Sequence, residues 1–224
     1  LRGEPFDWRA IPVNTVQLLV DVLGPVVVMV AIGALVAQRL GLNTGTLSKL
    51  AYWILGPAFV FNIFSTTTLE AETAAKLVVA GVASVLAAGV AGAVLSPVFG
   101  LRGSAMSATV MSSAYGNVGN AGLAICVFAL GEDALDRAGV LMVTIMFFGT
   151  LLSVWLGTRQ TQSSLKAALD ALVSPMIVAA IIGFLFNVAN LDTPTVIDRA
   201  VSTIAQGLIP VMLLTLGLQL ATTG

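Results

Sequence analysis

Seven apolar stretches, each long enough to cross a bilayer as a helix, dominate this sequence: 16–38, 50–69, 74–99, 104–130, 135–157, 167–189 and 195–220. A bilayer core takes about 20 mostly apolar residues per helix. The segments between them hold nearly all the charges: "QRLGLNTGTLSK", "EAET", "LRGS", "GEDALDR", "TRQTQSSLK" and "ANLDTPTVIDR". Charged residues make up only 9% of the chain and hydrophobic ones 58%. A soluble domain carries about 25% charged residues, so this chain cannot cover a water-facing surface. The runs are too long for strands, and no ten-residue alternation marks a barrel. Helices satisfy their own backbone hydrogen bonds in lipid. The fold class is therefore an all-α polytopic membrane protein with about seven transmembrane helices.

The net charge is −1 and no block of like charges occurs, so nucleic acid is not an expected partner. There is no histidine, and the single cysteine, Cys126, lies in an apolar run. No internal disulfide, Cys-based metal site or Ser-His triad can be built. No lysine lies in the membrane interior of a span (Lys76 is at the very start of its own) and no span holds a pair of acids, which leaves a membrane-embedded enzyme little to work with. The expectation is a non-enzyme with no cofactor and no metal. Residues 1–15, opening "LRGEPFDWRAIP", read as an exposed or interfacial tail.

Orientation follows from lysine and arginine in the loops. Loops 1–2, 3–4 and 5–6 hold Arg39, Lys49, Arg102, Arg159 and Lys166 with almost no acids. Loops 2–3, 4–5 and 6–7 mix Lys76, Arg137 and Arg199 with seven acids. The loop bias puts the N-terminus outside the cytoplasm, although Arg2 and Arg9 in the tail even the raw count.

Shifted by 150 residues, "GPVVVMVAIGALVAQRLGLNTGTLSK" from Gly24 lies over "SPMIVAAIIGFLFNVANLDTPTVIDR" from Ser174. Pro25 falls on Pro175, Gly33 on Gly183, Leu35 on Leu185 and Lys49 on Arg199. With three more residues inserted, Pro57 meets Pro210. The period covers five helices, an odd number, so the second copy enters from the opposite face. Inverted repeats of this kind mark secondary transporters, while shared apolar composition is the competing explanation. The repeat predicts three more helices after Gly224, with a second broken span near residue ~270.

Span four, 104–130, is the odd one. Between Gly116 and Gly122 it holds Gly116, Asn117, Gly119, Asn120 and Gly122. Glycine in a helix interior costs about 1 kcal/mol relative to alanine, and asparagine also ranks poorly. The cluster predicts local unwinding, which is tolerated at membrane depth only against protein or a water-filled cavity. A break leaves the N-terminus of a second half-helix, expected near Gly122 to Cys126, with free N–H groups and about half a positive charge. That suits an anion. Close helix packing on small residues is the alternative. Other polar intramembrane residues are Asn62, Ser65, Ser84, Thr144, Thr215 and Gln219.

"NVGNAGLAI" followed by "FALG" resembles the auxin efflux carrier (PIN-like) family in its bacterial form. "SPMIVAAIIGFLF" and "IPVMLLTLGLQL" resemble that family's sixth and seventh helices. The resemblance implies a ten-helix fold of two inverted five-helix halves, of which seven helices are present here. It implies a scaffold of helices one, two, six and seven (16–69 and 167–220), and a mobile transport domain that includes 74–157. A cytoplasmic linker, 158–166, joins the two. By resemblance Asn117 is the crossover asparagine, Phe61, Asn62 and Ser65 face the substrate from the scaffold, and scaffold helices form a homodimer.

Two departures matter. Ala124 stands where the family often has proline, so the break must rest on Gly119, Asn120 and Gly122. Span three carries no interior acid, unlike plant auxin carriers, which counts against auxin itself; the resemblance to bacterial members implies a small carboxylate such as malate or malonate, with an auxin-like acid the other choice. The expected function is elevator-type secondary transport of a small organic anion in the plasma or inner membrane. The candidate substrate set is Asn117, Gly119, Asn120, Gly122, Phe61, Asn62, Ser65 and Thr144. A channel or a non-transporting subunit is the alternative.

Overall fold

The computed structural model describes residues 15–158 and 173–222. The first part of the predicted tail, most of the linker 158–166, and residues 167–172 of span six lie outside these. The described chain is helical throughout, without strands. Its helices are α1 (Thr15–Leu40), α2 (Thr44–Thr66), α3 (Ala71–Phe99), α4 (Ser104–Ala114), α5 (Leu123–Leu130), α6 (Leu135–Thr158), α7 (Pro175–Val188) and α8 (Thr195–Thr222). Five of them, α1, α2, α3, α6 and α8, are long and apolar enough to cross a membrane. Span four divides into α4 and α5. Span six is represented by the 14 residues of α7.

Apolar side chains point outward in bands. Val20, Val27, Val28 and Leu35 on α1, Val79, Val90 and Val94 on α3, and Ile181, Phe184 and Val188 on α7 are each more than half exposed. A soluble protein does not carry contiguous apolar surface on this scale; a bilayer accepts it.

Two of the long helices are irregular for a local reason. In α2, Ala51–Leu55 is a π-helical turn closed by the Gly56 N–H on the Ala51 carbonyl. Pro57 follows at once. Its missing N–H and its ring's clash with the carbonyl four residues back disfavour regular α-helix there. In α8, winding is interrupted at Gly207, between Thr195–Gln206 and Leu208–Thr222, three residues before Pro210. Pro175 is not interior to its helix as expected: it occupies the first turn of α7, where a missing N–H is harmless. Ser174 caps that turn, its Oγ accepting the Ile177 N–H at 3.4 Å.

Most helix contacts fall into two sets, and α5 touches both, packing on α1 as well as on α6. The second half of α8 packs along α1, and α7 packs along the second half of α2. Separately, α3 packs on α4 and α6. The first two pairings are tight because glycine lets backbones touch. A Cβ on Gly33 would strike the Leu214 carbonyl, and one on Gly217 the Val30 carbonyl. A Cβ on Gly183 would sit 2.8 Å from the Phe61 carbonyl oxygen. Gly33 and Gly183 are partners in the 150-residue offset. Phe61 and Leu214 each lie four residues after the paired prolines, Pro57 and Pro210. The two glycines thus press on equivalent backbone carbonyls in the two helix pairs.

Asn187 fastens α7 to α2 in a second way. Its Nδ2 donates to the Ser65 carbonyl at 3.1 Å and the Thr67 carbonyl at 2.9 Å, serving carbonyls at the end of α2. Asn187→Leu fills similar space and removes both donors. It is expected to cost about 1–3 kcal/mol, read as a lowered unfolding midpoint in detergent. An unchanged midpoint would show that water replaces the amide without loss.

Candidate functional site

Span four is interrupted about midway along its length. The 11 residues of α4 rise about 16 Å and the 8 of α5 about 12 Å, against a hydrocarbon core of about 30 Å. The chain leaves α4 at Tyr115, with φ −103° and ψ 77°. Tyr115, Gly116 and Asn117 are all exposed. Winding resumes as a π-helical turn over Val118–Gly122 and runs directly into α5.

This corrects the expected location of the break. Gly119, Asn120 and Gly122 sit inside the π-helical turn, and the non-helical residues are Tyr115, Gly116 and Asn117. The second helical segment begins at Val118, several residues before the predicted Gly122 to Cys126. The Gly122 N–H is not free: it donates to the Asn117 carbonyl at 3.0 Å. The Val118 N–H donates to the Gly116 carbonyl at 2.8 Å, and the N–H groups of Gly119, Asn120 and Ala121 lie between these two bonds in the leading turn. A wide π turn accepts poor α-helix formers, and such turns recur at functional sites.

The turn is wedged among three helices. Val118 packs on the core cluster of Phe59, Val60, Ile63, Leu123, Met142 and Leu208. A Cβ on Gly119 would lie 3.1 Å from Met212 Cε of α8. Ala124, where family members often have proline, is wholly buried, in a second cluster with Val26 and Leu213. Its small side chain lets α5 close on α1 and α8.

The remaining predicted residues divide. Phe61 borders the same core cluster as Val118, and its ring meets Phe186 of α7 edge-on at 5.6 Å. The Asn62 carbonyl accepts from the Ser65 hydroxyl at 3.2 Å and the Thr66 hydroxyl at 2.7 Å. These are the usual local back-bonds of helix Ser and Thr. Thr144 is buried on α6 and donates to the Val140 carbonyl at 2.8 Å. Its Cγ2 would lie 2.8 Å from a Cβ on Gly81, so it faces α3 rather than the π turn.

Sequence reasoning missed Tyr115 and Met212. Tyr115 adjoins the Gly/Asn cluster, and an aromatic beside such a cluster is a readable signal. Met212 touches Gly119 only through the fold. An apolar groove of about 420 Å³, lined by Leu86, Val90, Met106, Leu152 and Trp155 among others, lies between α3, α4 and α6. It is lined almost wholly by apolar groups and lacks the polar residues of the break.

No curated protein was found to match the chain. Residues 156–224, which include α7 and α8, match the family model described as membrane transport protein, so this part of the chain is similar to that family.

Proposed function

We propose that this protein is a secondary transporter of a small organic anion, such as a dicarboxylate, held at the break in span four. The exposed stretch Tyr115 to Asn117, midway along span four and just ahead of a helical N-terminus, is the observation that carries this reading. A charged side chain is costly inside a span, whereas an amide and backbone N–H groups receive an anion without one. In this reading Asn117 and the leading turn Val118–Gly122 bind the anion. Phe61, Asn62 and Ser65 form the opposing scaffold wall, and Thr144 braces α6 behind the site.

Packing of α3 on α4 and α6, apart from the α1–α8 and α2–α7 pairs, supports an elevator arrangement, with α5 at the boundary between the two sets. Helices α1, α2, α7 and α8 form the fixed scaffold, through which two copies of the chain pair. Helices α3 to α6 form the moving part. The equivalent carbonyl contacts of Gly33 and Gly183 support an inverted repeat, and the loop charges support an N-terminus outside the cytoplasm of a plasma or inner membrane. Uptake of labelled malonate into proteoliposomes tests the reading. A carrier gives uptake that saturates with malonate concentration and is competed by unlabelled malonate. A channel gives non-saturating flux accompanied by a conductance, and that result would replace this proposal.

A further inference from the structure

The chain has two tyrosines, and both border one cavity. Tyr52 belongs to the π-helical turn Ala51–Leu55 of α2. Tyr115 is the residue at which α4 ends. Each therefore stands on irregular backbone within a span. The cavity measures about 80 Å³ and is completed by Met146 and Thr150 of α6 and by Ser174 and Met176 at the start of α7.

Its polar groups are held in place from outside. A Cβ on Gly149 would lie 2.6 Å from Tyr115 Cδ2, so the Tyr115 ring rests on bare backbone of α6. The Tyr52 ring meets Trp53 edge-on, with centroids 5.4 Å apart. The Thr150 hydroxyl donates to the Met146 carbonyl at 2.6 Å, which leaves its oxygen as an acceptor. The Ser174 Oγ accepts from the Ile177 N–H, which leaves its proton to donate. Among the described residues, neither tyrosine hydroxyl is taken up by another group.

We propose that this cavity binds the carboxylate of a short organic acid, received by the Tyr52, Tyr115 and Ser174 hydroxyls. The inference rests on the carrier reading only in naming that acid as cargo. Hydroxyl bonds to a carboxylate are charge-assisted and stronger than neutral ones. The start of α7 adds the positive end of its dipole. No lysine or arginine lines the space, so the charge is met by O–H groups and a helix end alone.

Size sets the class of acid. One water needs about 10–15 Å³ of such space, so the roughly 80 Å³ here suits a short acid such as malonate better than one bearing a fused aromatic ring. Position sets the role. Tyr52 lies about two turns from the start of α2, and Thr150 about two turns from the end of α6. Both ends adjoin the loops whose charges mark the cytoplasmic face. Tyr115 is two residues ahead of Asn117, so the cavity receives acid from that side and passes it toward the break.

Tyr52→Phe and Tyr115→Phe each remove one oxygen and keep the ring. Malonate binding to the detergent-purified full chain is measured by calorimetry, alongside malonate uptake in proteoliposomes. Each variant is expected to bind malonate about tenfold more weakly, with its ligand-free unfolding midpoint unchanged, and indole-3-acetate is expected not to bind. Wild-type affinity in both variants, no malonate binding by the unaltered chain, or equal binding of indole-3-acetate would overturn the inference. Tyrosine-dependent binding without any uptake would support the cavity and sink the carrier reading. Asn117-dependent uptake with fully binding phenylalanine variants would do the reverse.

Discussion

Asn117→Ala is expected to abolish malonate uptake into proteoliposomes while leaving the yield and size of the purified protein unchanged. The side chain is exposed, and its backbone carbonyl already anchors the π turn through Gly122. Alanine keeps that carbonyl and removes only the amide. The amide offers both donors and an acceptor, and each hydrogen bond to a charged partner contributes about 1.5–3 kcal/mol. Two such bonds to one anion amount to a hundredfold loss or more, which in a flux assay is indistinguishable from none. Asn117→Asp is expected to be equally inactive, because it sets a like charge against the substrate. An alanine variant that transports normally would make Asn117 a structural residue and move the site elsewhere.

Gly217→Val is expected to give the largest loss of stability of any single substitution considered. The added Cβ would strike the Val30 carbonyl and lie 2.8 Å from the Ala34 nitrogen. Both obstacles are backbone, so no side chain can swing aside, and α1 and α8 must separate. Overpacking of this kind costs about 3 kcal/mol or more, and separation also forfeits close contact along both helices. The protein should aggregate or elute as a broad peak on size exclusion in detergent. Gly33→Val should behave similarly, through the Leu214 carbonyl. Gly24→Ala on the same α1 meets nothing within 4 Å beyond its chain neighbours, and should cost far less, at most the crowding of its Cβ against the Pro25 ring. Equal stability of Gly217→Val and Gly24→Ala would mean that α1 and α8 do not pack as described.

The membrane class was legible because it depends on sums over long windows. Hydropathy marks α1, α2, α3, α6 and α8 without any knowledge of contacts. The break in span four was legible as a cluster but displaced in detail. Glycine and asparagine report where α-helix is weak, whereas the backbone can meet that weakness with a wider turn. The chain therefore leaves α4 at Tyr115 and rewinds through Gly119 and Asn120. The offset pairing Gly33 with Gly183 was visible in one dimension. That both glycines press on carbonyls four residues after paired prolines needed the packing of two helix pairs.

Other features were beyond sequence because they join distant segments. Asn187 reads as a polar residue near the end of a span, and only the fold brings it to the Ser65 and Thr67 carbonyls. Tyr52 and Tyr115 stand 63 positions apart, and nothing in either neighbourhood tells that they share a cavity. Thr144 looks identical in one dimension to a substrate-facing threonine. Its burial against Gly81 is a tertiary fact.

The central claim is that this chain carries a small organic anion by alternating access, and counterflow tests it most directly. Proteoliposomes are loaded with unlabelled malonate and diluted into a trace of labelled malonate. The account predicts that label accumulates transiently above equilibrium, then declines as the internal pool drains. Label that only equilibrates, at a rate indifferent to the malonate inside, would contradict it.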